Sequence, residues 1–126
     1  MRRPALTARL CGALVATVLA VVPVTAPPPA AAGGGATVEI VEPDADNERT
    51  WAFRPANITV APGSTVVWHN GGFHTHNVIA NDKSFDSGDI LPGQSWRWTF
   101  PSAGEYPYHC GPHRWMRGKV SVVSGS

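Results

Sequence analysis

Near its C-terminus the chain sets a thiol, an imidazole and a thioether on one short stretch, Cys110-x-x-His113-x-x-Met116. Thiolate and thioether are soft donors and imidazole is borderline, so the trio suits copper better than other common metals. Zinc fits it less well, because thioether is a poor zinc ligand. A copper centre built on one cysteine also takes a second histidine, and the upstream choices are His69, His74, His76 and His109. His109 adjoins Cys110 on an expected strand, so its side chain points to the opposite face. His69 closes a strand and reads as an edge or surface residue. His74 and His76 both follow the Gly71-Gly72 break and would share a face if extended. The residues alone leave both open.

The cysteine count supports a ligand role for Cys110. Residues 1–32 have the layout of a secretory signal peptide: a basic start (Arg2, Arg3, Arg9), an apolar run from Leu10 to Val22, and a Pro/Ala stretch ending in Ala30-Ala31-Ala32. The run stops at Pro23 and is too short for a membrane span of about 20 residues. The expected product is an exported chain, periplasmic or extracellular, with no stable membrane insertion after cleavage near Gly33. Cleavage would remove Cys11, leaving Cys110 without a disulfide partner in an oxidising compartment, where a bound metal would protect it. It would also leave seven basic against nine acidic side chains, a net charge of −2. That balance offers no electrostatic footprint for nucleic acid.

The elements that must position these donors are strands. Residues 33–36 form a glycine-rich leader, and the domain is expected over 37–126. Short runs rich in β-branched and aromatic residues alternate with turn residues, and no long 3.6-residue period is present. Expected strands are 37–41, 50–53, 58–60, 65–70, 76–80, 95–100, 105–110 and 118–123, with a charged loop over Glu42 to Arg49. Trp96, Trp98 and Phe100 alternate with polar residues and should share one buried face. Seven or eight short strands at regular spacing predict an all-β fold, a Greek-key β-sandwich. The remaining length, about 94 residues, suits one core of this kind, marginal enough for a bound metal to help; the expected state is monomeric.

Two segments then show a resemblance. His76-Asn77-Val78, preceded by Val66-x-Trp68-x-Asn70, resembles the first copper-ligand segment of the plastocyanin-like cupredoxins, the blue copper proteins. Tyr106-x-Tyr108-His109-Cys110-x-Pro112-His113-x-x-Met116-Arg117-Gly118-Lys119-Val120 is most similar to the short ligand loop of the amicyanin type. The resemblance runs from about Ala56 to Val123. It implies a cupredoxin-like sandwich, His76, Cys110 and His113 as equatorial copper ligands, Met116 as the weak axial one, and Asn77 as a tie between the two ligand loops. It departs from the pattern at Arg114-Trp115, where such loops carry proline and phenylalanine, and at Phe73-His74-Thr75 ahead of His76.

The expected function is one-electron transfer between redox proteins, a donor and an acceptor, with no substrate bond made or broken. Four protein ligands leave no open position for a substrate. His113, in mid-loop, should lie nearest the surface, with Pro112, Arg114 and Trp115 forming a docking patch and Arg114 and Arg117 steering an acidic partner. One rival is a copper-binding or delivery protein. Another is an enzyme of the multicopper oxidase or nitrite reductase type, suggested by His74-Thr75-His76 and His109-Cys110. A multinuclear site needs histidine on both sides of the cysteine, and residue 111 is glycine.

Overall fold

The computed structural model describes residues 12–13, 16–23 and 35–125. Among them lie eight strands: β1 (Ala36–Val41), β2 (Ala52–Arg54), β3 (Asn57–Val60), β4 (Ser64–Asn70), β5 (Ile79–Ala80), β6 (Ser95–Phe100), β7 (Gly104–His109) and β8 (Arg117–Val122). One 3-10 turn, Glu48–Thr50, precedes β2. The strands form two four-stranded sheets, ordered β2-β1-β4-β6 and β3-β8-β7-β5. The chain crosses from the first sheet to the second between β2 and β3 and returns at β4. Parallel pairings of β1 with β4 and of β3 with β8 close the arrangement. This is the all-β sandwich the sequence predicts. Most of the expected signal peptide lies outside the described residues; 12–13 and 16–23 carry neither helix nor strand. Among the described residues no helix is long and apolar enough to cross a membrane.

The central strand β4 explains the packing. In Ser64–Asn70 every second residue is buried, so Val66, Trp68 and Asn70 face inward while Thr65, Val67 and His69 do not. Trp68 meets Tyr108 of the opposite sheet edge-on at 5.5 Å, and Phe53 meets the same ring at 4.9 Å. These aromatic contacts pin the two sheets face to face. Gly118 is required beside them: a Cβ there would overlap the Tyr108 phenol and lie 2.8 Å from the Ala56 carbonyl oxygen.

Several expectations are corrected by the tertiary setting. Residue 36, assigned to the leader, belongs to β1, because Ala36 pairs with Val66. The strand expected over 76–80 is ordered as strand only at Ile79–Ala80. Upstream of it His76 exchanges backbone hydrogen bonds with Ile90, and the Val78 N–H donates to the Ser87 hydroxyl. The strand expected over 50–53 is shifted to Ala52–Arg54, because Thr50 ends the 3-10 turn. The Trp96, Trp98 and Phe100 row does share one face, with all three rings packed around Phe85 at 6.1, 5.8 and 5.5 Å. Phe100 is fully buried, but Trp98 is 38% exposed. β6 pairs only with β4 and so forms a sheet edge, which leaves Trp98 at the rim.

Candidate metal centre

Three strand ends converge on one end of the sandwich. β4 stops at Asn70, and the chain then runs through Gly71-Gly72 to His76; β7 stops at His109, directly before Cys110; β8 begins at Arg117, directly after Met116. The buried Asn70 amide shapes the first connection. Its Nδ2 donates to the carbonyls of His74 and Ile90, both at 2.8 Å, and its Oδ1 accepts from the Gly72 N–H at 2.9 Å. A side-chain amide that closes on its own backbone in this way is the usual role of asparagine at a turn. The second connection is held from within, by the Cys110 N–H to the Met116 carbonyl and the Met116 N–H to the His113 carbonyl.

Asn77 joins the two connections: its Oδ1 accepts the Gly111 N–H at 2.6 Å. With both loops fixed, the Cys110 sulfur lies 3.7 Å from His76 Nδ1 and 3.7 Å from His113 Nδ1, and the two nitrogens are 3.3 Å apart. A triangle with those edges has its centre about 2.1 Å from each corner, within the range of metal–imidazole and near that of metal–thiolate bonds. His76 and Cys110 are fully buried, His113 is half-buried, and Met116, from the same loop, is 1% exposed. His76, Cys110, His113 and Met116 are thus arranged as a cupredoxin copper site, and the donor chemistry fits copper.

Electrostatics favour a metal over a proton at the imidazole. Burial lowers the His76 pKa, with the His113 ring adding to that and the Glu42 carboxylate opposing it. Burial pushes the Cys110 thiol up, partly offset by hydrogen bonds from the backbone N–H groups of Asn77 and His113. This thiol would give up its proton on taking a metal.

His74 and His76 are separated by what they face. His76 turns Nδ1 toward Cys110 and Nε2 toward Glu42 Oε1, at 2.9 Å. The half-exposed His74 ring stacks on Trp51 at 4.5 Å and directs Nδ1 to Glu42 Oε2 at 2.9 Å. Among the clustered metal donors of the described residues, His74 does not appear. His69 pairs with Glu39 at 2.8 Å, and His109 points away from Cys110 to Asn81 Oδ1 at 2.7 Å.

The structure also adds residues that sequence reading missed. Glu42 stands among several acidic residues of a loop, and nothing in its local pattern marks it. Trp51 reads as an ordinary strand aromatic, yet its ring is edge-on to both His76 (5.8 Å) and His113 (5.0 Å). Ahead of His76 the sequence marked only the Gly71-Gly72 break, with Asn70 read as the end of a strand. Around the loop, Pro112 and Arg114 are exposed, while Trp115 is half-buried. The Trp115 Nε1–H donates to the Glu48 carbonyl at 2.8 Å, and Arg49 covers its ring at 4.9 Å.

The sandwich and this centre define a copper-protein architecture, and comparison with known proteins agrees. Residues 39–123 match the family of copper binding proteins of the plastocyanin/azurin type, and the chain belongs to that family. It is 40% identical over 70 residues to an amicyanin from Paracoccus versutus, covering 52% of this chain and 53% of that one. It is 36% identical over 83 residues to a chloroplastic plastocyanin from Tetradesmus obliquus, covering 56% and 57% respectively. The chain thus spans a little over half the length of these relatives. Among solved structures, a purple cupredoxin from Nitrosopumilus maritimus superposes with a TM-score of 0.64 at 28% identity, covering 70% of this chain and 99% of that one.

Proposed function

We propose that the chain is an exported blue copper protein that carries single electrons between a donor and an acceptor protein. His76, Cys110, His113 and Met116 would hold the copper, as the family resemblance implies. The observation that carries this reading is the triangle of one sulfur and two Nδ1 atoms, two of its three residues buried and the third half-buried, all within 4.8 Å of one another. Copper held there would supply one reversible electron, as Cu(I)/Cu(II).

The chain's own residues hold the geometry constant between oxidation states. Asn70 fixes the loop ahead of His76, Asn77 ties that loop to Gly111, and the Cys110–Met116 backbone bond closes the second loop. A rigid donor set suits repeated one-electron exchange, and four protein donors leave no open position for a substrate. His113 is the donor nearest solvent, so its ring is the electron's route out. Pro112, Arg114 and Trp115 surround it as the docking patch, with Arg114 and Arg117 attracting an acidic partner. The signal-like pattern of residues 1–32 supports export, with the mature protein starting near Gly33.

The visible spectrum of the copper-loaded protein tests the centre. An intense thiolate-to-copper band is expected and should vanish in Cys110→Ala. Copper bound without colour would rule the reading out. Rapid, stoichiometric hand-off of copper to an apo-acceptor, without a reversible redox couple, would favour a delivery protein instead.

A further inference from the structure

The Glu42 side chain is 1% exposed, and the groups turned toward it are histidine nitrogens and backbone N–H groups rather than lysine or arginine. Oε1 lies 2.9 Å from the His74 N–H and 2.9 Å from His76 Nε2, and Oε2 lies 2.9 Å from His74 Nδ1. An ionised carboxylate only accepts hydrogen bonds, so each ring nitrogen facing it must be a donor. His76 therefore carries its proton on Nε2, and its Nδ1 lone pair is left pointing at Cys110 and His113.

Space for this contact is built into the loop. Gly72 lies against the Glu42 side chain, and a Cβ there would overlap the carboxylate and lie 2.8 Å from Cγ. Glu42 follows the last residue of β1, so it reaches the centre from a segment distant in sequence from both ligand loops. Two physical effects follow. Accepting the Nε2–H makes the His76 ring a stronger donor and holds its orientation. The full negative charge, one imidazole away from the metal, also favours the more positive oxidation state in a poorly solvated interior.

We propose that Glu42 is a positioning residue that selects the ligating tautomer of His76 and lowers the reduction potential of the copper centre, with Gly72 as the space that admits it. This rests on the copper-carrier reading above. The test substitutes Glu42→Gln, which keeps shape and one acceptor oxygen but removes the charge. The ratio of Cu(II) to Cu(I) affinity is expected to fall about tenfold, a rise of about 59 mV in the one-electron potential. Cu(II) affinity should drop roughly 10–100-fold, the usual effect of losing such a partner. In the metal-free protein, nitrogen NMR should show His76 as the Nε2–H tautomer, with that resonance shifted in the variant. Gly72→Ala displaces the same carboxylate without changing its chemistry and should move the potential in the same direction; it carries the test if Glu42→Gln does not fold. A folded, copper-loaded variant with the wild-type potential would overturn the proposal. A wild-type protein that never turns blue would instead overturn the carrier reading, so the two failures are distinguishable.

Discussion

Replacing Asn77 with alanine removes the side-chain link between the two ligand loops and leaves the Asn77 backbone N–H on Cys110. The link is one 2.6 Å hydrogen bond from the Gly111 N–H to Asn77 Oδ1, partly shielded from water. Alanine leaves that N–H without its acceptor, and a shielded unpaired donor costs about 1–3 kcal/mol. For a domain of this size, 1 kcal/mol corresponds to about 4–8 °C in melting temperature, so the metal-free variant should melt roughly 5–20 °C lower. The metal-bound form should suffer as well. The 3.7 Å separation of His76 Nδ1 and Cys110 Sγ depends on the spacing of the two loops, so copper affinity should fall roughly 10–100-fold. Thermal denaturation of the metal-free protein and competition with a copper chelator measure the two effects separately. Asn77→Asp, which keeps an acceptor oxygen, should recover most of the lost stability. An Asn77→Ala variant with wild-type melting temperature and copper affinity would refute the claim that this contact sets the spacing.

Other outcomes follow from the same geometry. Gly118→Ala forces a methyl group into the Tyr108 phenol and should destabilise by about 1–3 kcal/mol; an unchanged denaturant midpoint would show that the strand can shift. The metal-free protein should lose stability in acid. Burial raises the Glu42 carboxyl, but hydrogen bonds from His74 and His76 outweigh it and bring the pKa from 4.5 to about 2, so its contribution is present above pH 4.5 and lost toward pH 2. Burial holds the His76 pKa below 6.5, so the unfolded chain takes up that proton first and stability also declines as pH falls below 6.5. Denaturant midpoints that stay level from pH 7 to pH 3 would contradict both assignments. Copper(II) loading at neutral pH should release a proton from the buried Cys110 thiol, measurable in weakly buffered solution, and apparent affinity should rise with pH. At the surface, Arg114→Glu and Trp115→Ala should each slow electron transfer to the native partner, with the arginine effect weakening at high salt; unchanged rates would rule out the docking patch.

How much of this was legible in the sequence depended on how local each signal is. The Cys110, His113 and Met116 side chains lie on one loop and combine soft with borderline donor atoms, so the chemistry they suit could be read from residue types and spacing. Strand alternation in Ser64–Asn70 is likewise local, because a pleated strand buries every second side chain whatever its partner. The Trp96, Trp98 and Phe100 row shows the limit of that logic. Alternation placed the three on one face, but burial depth depends on which strand lies alongside, and β6 is a sheet edge.

The sequence by itself determined the all-β class, the three candidate donors of the second loop and the family resemblance, because turn residues, alternation and ligand softness act over a few neighbouring residues. Tertiary structure decided which upstream histidine faces the sulfur. His74 and His76 are two residues apart and chemically identical; what separates them is Glu42, which arrives from the end of β1, and Trp51, on which the His74 ring stacks. Those contacts join residues more than twenty positions apart, and the shape of the folded sandwich brings them together.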